Sequence, residues 1–79
     1  MKTNDLKNGA YVRLRCGWLA TIKDNRKGNI RLAEVYGDFT EIGSVYAHDI
    51  EAVLIDNRWV KIEHTPKQIN SKRMNDLLW

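Results

Sequence analysis

Apolar and polar residues alternate through most of the first 64 positions. In the run Tyr11, Val12, Arg13, Leu14, Arg15, Cys16, one side collects Val12, Leu14 and Cys16, and the other collects Tyr11, Arg13 and Arg15. A period of two is that of a half-buried strand. Cys16-Gly17 reads as a tight turn into a second strand over residues 18–23, with Trp18, Ala20 and Ile22 on one face and Trp18 expected in the core. Residues 24–29 form a polar loop with a basic tip, and residues 30–36 a third strand. Gly37-Asp38 marks a turn. Residues 39–42 are ambiguous, Gly43 breaks them, and a short strand follows over 44–47. His48-Asp49 closes that strand with a local turn. Residues 51–55 and 58–63 are two further strands, joined by Asp56-Asn57 as a hairpin turn.

The period changes near residue 65. Thr65 is placed to cap a helix, Pro66 suits its first position, and Gln68 completes a capping box. Ile69, Met74, Leu77 and Leu78 share roughly one face of that helix. The expected fold is mostly β: a small barrel of five or six short antiparallel strands over residues 1–64, closed so that no edge is left exposed. The helix, residues 65–79, packs on the barrel or lies at an interface.

Residues 6–36 resemble the opening of SH3-like barrels of the KOW type, found in ribosomal and transcription-elongation proteins. The likeness rests on Lys7-Asn8-Gly9, the strand 11–14, the turn at Gly17, the strand through Ala20 and Ile22, the loop 24–28 and the strand ending at Val35. Leu19-Ala20-Thr21 stands where that family usually has a second glycine-rich step. In size and texture the whole chain also resembles the short SH3-like proteins of phages and prophages. That resemblance implies a small accessory protein that acts by binding a host or phage factor. The KOW resemblance implies contact with nucleic acid.

The length of 79 residues allows one domain with a thin core. Cys16 is the only cysteine, so no disulfide forms within the chain. Cys16, His48 and His64 lack the paired spacing of a zinc site, and no metal or other cofactor is expected. Self-association is left as a route to extra stability. With no secretory signal and no apolar run of membrane-spanning length, the chain reads as cytoplasmic.

The net charge of +3 is segregated. Residues 1–31 hold eight basic and two acidic residues; residues 32–56 hold six acidic residues and no Lys or Arg; residues 57–79 hold five basic and two acidic ones. Either the oppositely charged strands complement each other across the sheet, or two faces of opposite sign form.

Cys16, His48 and Asp49 are the residue types of a nucleophile, base and orienting carboxylate, but Cys16 alternates with Val12 and Leu14 and reads as a buried core residue. No nucleotide fingerprint or catalytic spacing is present, and an enzyme is not expected. A binding module is expected instead, with a protein partner or a second copy held by Tyr36, Tyr46, Trp59, Leu77, Leu78 and Trp79. The first alternative is nucleic acid on Tyr11, Arg13, Arg15, Arg26, Lys27 and Arg31, where cations neutralise phosphate and Tyr stacks on a base. The second is a small phosphorylated ligand or nucleotide on the same residues.

Overall fold

The computed structural model describes residues 1–25 and 30–77. Arg26, Lys27, Leu78 and Trp79 therefore lie outside the described residues. Alternation builds six strands: β1 (Tyr11–Leu14), β2 (Leu19–Asp24), β3 (Ile30–Tyr36), β4 (Thr40–Tyr46), β5 (Ile50–Ile55) and β6 (Arg58–Lys61). One helix follows, α1 (Pro66–Leu77). Neighbouring strands run antiparallel in the order β4-β3-β2-β1-β5-β6. The fold is mostly β with a C-terminal helix, as the alternation predicts. The expected closure is not made: the sheet stays open, with β4 and β6 as its edges.

The inward positions form the core: Leu6, Val12, Leu14, Ala20, Ile22, Ala33, Ile50, Val53 and Ile62 are all buried. Each large apolar side chain here contributes about 1.5–3 kcal/mol on leaving water. Register shifts in β1 between Arg13 and Leu14, and in β2 between Ile22 and Asp24, add local twist that curls the sheet round this core. Asp56 and Asn57 both have positive φ, 50° and 64°, and join β5 to β6 as a two-residue turn with Ile55 opposite Arg58. Positive φ at both central positions defines a type I′ turn, whose twist matches the strands it joins.

The helix starts as expected. The Gln68 amide donates to Thr65 Oγ1 at 3.2 Å, and the Thr65 amide donates to Gln68 Oε1 at 3.0 Å. The capping box satisfies two donors that a helix start leaves unpaired.

Three expectations about single positions fail. Cys16 is exposed rather than in the core, because β1 ends at Leu14 and the chain turns before the alternation reaches it. Trp18 is 48% exposed, since β2 begins one residue later and leaves Trp18 in the turn. Its ring lies against Gly37, where an added Cβ would sit 2.5 Å from the indole. Gly43 does not break a strand: β4 runs through it, paired with β3 over seven consecutive positions, with Gly43 opposite Ala33.

Candidate functional site

The outward positions of β3 and β4 pair Ile30 with Tyr46, Leu32 with Ser44 and Glu34 with Ile42. In antiparallel strands, side chains that are opposite or diagonal on one face touch. Ile30, Leu32, Ile42 and Tyr46 thus form one apolar quartet, and all four are exposed. Ile42, at 67%, stands furthest into solvent. The quartet borders β4, which has no partner strand on its far side among the described residues. Beside it, Lys23 and Glu34 neutralise each other at 3.2 Å.

The outward positions of β1, β5 and β6 differ in chemistry. Tyr11 lies 6.1 Å from Tyr36 and 6.2 Å from Trp59, measured between ring centroids. The Tyr36 hydroxyl meets Thr21 Oγ1 at 2.7 Å, which fixes that ring across β2. The Arg13 guanidinium lies 5.1 Å from the Trp59 ring centroid, within cation–π range. Where this face meets α1, a groove of about 410 Å³ opens, lined by Arg13, Trp59, Lys61, Lys72, His48 and His64, with Glu51 the acidic residue in its wall. His48 is buried; its Nε2 lies 3.5 Å from Asp49 Oδ1 and makes no hydrogen bond among the described residues. Burial pushes the His48 imidazole below its usual range; Arg15 and His64 act in the same sense, while Asp49 and Asp76 oppose. His64 Nε2 lies 2.9 Å from the carbonyl of Ile50, which fixes that ring.

A second hollow, of about 390 Å³, runs along the inner side of β4, lined among others by Cys16, Trp18, Val35, Phe39 and Tyr46. Phe39 is 77% exposed at its rim.

The helix is attached by its polar side. Gln68 is buried and accepts from Thr3 Oγ1 at 3.4 Å, and Asp76 accepts from Arg15 Nη1 at 2.9 Å. Ile69, Met74 and Leu77, expected on a packed stripe, face solvent.

The expected partner-binding set is divided. Tyr36 and Trp59 join one aromatic row, with Tyr11 between them, whereas Tyr46 lies apart and stacks on His48 at 5.0 Å. Leu77 is exposed on the helix. The expected basic set is divided too. Arg13 stands in the groove, but Arg15 is held by Asp49 at 3.1 Å and by Asp76. The Asp76 hydrogen bond is the main cause that raises its pKa. Arg31 is a correction: it is fully buried, bonded through Nε to Asn25 Oδ1, through Nη2 to Asn4 Oδ1 at 2.6 Å and through Nη1 to the Ile30 carbonyl. It faces inward with Ala33 and ties β3 to the N-terminal segment.

Sequence reasoning missed Lys61, Lys72, His64 and Phe39. Lys61 follows Trp59 by two on one strand, so alternation places both on the same face; Lys72 joins them only through the docking of α1. The Arg15–Asp49 and Lys23–Glu34 pairs join the basic first third of the chain to its acidic middle. Among the described residues no group of three or more His, Cys, Asp or Glu is placed to hold a metal ion, and no helix is long and apolar enough to cross a membrane. No protein-family model matches this chain, and no curated protein or solved structure is significantly similar to it.

Proposed function

We propose that the protein is a non-enzymatic protein-binding module that takes up an extended strand along β4, in the first instance from a second copy of this chain. The observation that carries this reading is the unguarded edge. β4 is seven residues long and fully in register with β3; it contains no Lys, Arg or Pro, its one charge is Glu41, and its Ile42 and Tyr46 belong to the exposed quartet. Proteins that stay monomeric blunt such edges with charge, proline, bulges or a covering segment. An added strand gains main-chain hydrogen bonds at the edge and apolar contact on the alternate side chains. Antiparallel pairing of two copies about Gly43 keeps their Glu41 side chains apart.

A non-enzymatic role is supported by the chemistry of the candidate residues. No hydrogen bond joins Cys16 to His48 or Asp49 among the described residues, so no activated nucleophile is assembled. The free, exposed Cys16 thiol fits a cytoplasmic setting. The resemblance of residues 6–36 to KOW-type barrels, and of the chain to phage SH3-like proteins, is in keeping with an accessory protein that works by binding.

The test is the mass in solution by sedimentation, across concentration, for the wild type and for Ile42→Lys. That substitution charges the edge and places the new ammonium opposite Glu34, so β3–β4 pairing is kept. Concentration-dependent association lost in the variant is expected. A wild type that stays monomeric up to millimolar concentration contradicts self-pairing.

A further inference from the structure

A second surface, which meets β4 where His48 stacks on Tyr46, has the chemistry of a ligand site. The groove between the outer face of β1, β5 and β6 and helix α1 brings together three cations from three elements: Arg13 of β1, Lys61 of β6 and Lys72 of α1. None of the three has a carboxylate within ion-pair distance among the described residues, whereas Arg15 is paired with two and Lys23 with one. Charges gathered at one place without counter-charges favour an anion there. Glu51 is the acidic exception in the wall, and it faces an anion unfavourably.

Two more observations point to what the anion carries. Trp59 stays 40% exposed even with Arg13 and Tyr11 against it, so ring surface remains for stacking. A volume of about 410 Å³ suits a small molecule. A polynucleotide strand needs a longer cationic track with successive stacking platforms. Here the outer face gives way, past Tyr36, to the neutralised Lys23–Glu34 pair and then to the apolar quartet.

We propose that this groove binds a free nucleotide, its phosphate held by Arg13, Lys61 and Lys72 and its base stacked beside Trp59. Its cations and Trp59 lie on β1, β6 and α1 rather than on β4, so a nucleotide and a protein strand can be held together.

The test uses adenosine 5′-diphosphate as the probe, read by backbone and indole NH shifts in NMR, with inorganic phosphate, adenosine and a twelve-residue oligothymidylate as parallel arms. Saturable shifts at the Trp59 indole and at Lys61 are expected with the nucleotide. Phosphate alone and adenosine alone should each bind about tenfold or more weakly, since each satisfies half of the site. Lys61→Ala and Lys72→Ala, both at lysines with no ion pair to lose, should each weaken the nucleotide about tenfold. Ile42→Lys should leave nucleotide binding unchanged, which separates this site from the β4 reading. Three results overturn the proposal: no shift at millimolar nucleotide, binding indifferent to both lysine substitutions in variants whose spectra show an intact fold, or an oligonucleotide that binds where the mononucleotide does not.

Discussion

The two edges of the sheet are built to opposite rules. β6 is four residues long and begins and ends on a cation, Arg58 and Lys61. Just beyond it the chain is covered: the Glu63 amide donates to the Met1 carbonyl at 2.8 Å, and Lys2 bridges Glu63 in parallel. β4 is seven residues long, regular and without a cation, and its outward Ile42 and Tyr46 lie beside Ile30 and Leu32 of β3. Short, charged and covered edges resist strand addition, and long flat apolar ones invite it. One small sheet thus holds a guarded edge and an open one. The open one carries the protein-binding reading, while the cations of the guarded side contribute to the nucleotide groove.

The largest expected effect concerns the tie between the two sides. Arg31 on β3 reaches Asn4 and Asn25, and Asn25 in turn donates to the carbonyls of Thr3 and Leu6 in the N-terminal segment that pairs with Glu63 just beyond β6. Arg31→Ala empties a fully buried site, takes the donor from the Asn4 and Asn25 side-chain oxygens, and should cost about 3 kcal/mol in urea unfolding. A loss below about 0.5 kcal/mol would show the network to be incidental.

Next comes Ile42→Lys, which gives β4 the device that β6 already has. If Ile42 is buried on association, the substitution should weaken self-pairing by about 2 kcal/mol, roughly thirtyfold in dissociation constant. The matching change on the guarded edge, Lys61→Ile, should raise association there far less, because β6 is short and Glu63 remains covered.

Thr65→Ala removes the helix cap and should cost about 1 kcal/mol in thermal or urea unfolding, leaving the β4 edge untouched. A variant as stable as wild type would mean that α1 is held by Gln68 and Asp76 alone.

The smallest effect is a pH dependence at the link from β4 to β5, where Tyr46 stacks on His48. The folded imidazole is pushed below its usual value near 6.5, chiefly by burial. Above that pH both folded and unfolded chains hold it neutral. Below it the unfolded chain takes up a proton that the folded chain resists, so stability should fall as pH drops through about 6.5 and below. Comparing urea midpoints at pH 7.5 and 5.5 for wild type and His48→Gln isolates this contribution; an identical fall in both would assign the loss to other groups.

The parts legible in the sequence are those fixed by local rules. The Asp56-Asn57 turn, the Thr65–Gln68 capping box and the inward set Val12, Leu14, Ala20 and Ile22 follow from turn chemistry and alternation. What could not be read depends on register across distant segments. Gly43 looks like a break until seven pairings with β3 hold β4 straight. Arg31 looks like a surface cation until alternation is set by β4 on one side and β2 on the other, which turns it inward to Asn4 and Asn25. Cys16 and Trp18 were misplaced by one or two residues of strand end. The groove joins Lys72 to Arg13 and Lys61 only because α1 docks by its polar side, and the apolar stripe of Ile69, Met74 and Leu77 predicts the reverse.

The most direct test of the open-edge account is amide hydrogen exchange, residue by residue, at low and high protein concentration. The account predicts that alternate amides of Thr40–Tyr46, those turned away from β3, slow markedly as concentration rises, while amides of Arg58–Lys61 do not change. Exchange in β4 that is fast and independent of concentration, or slowing confined to β6, would contradict it.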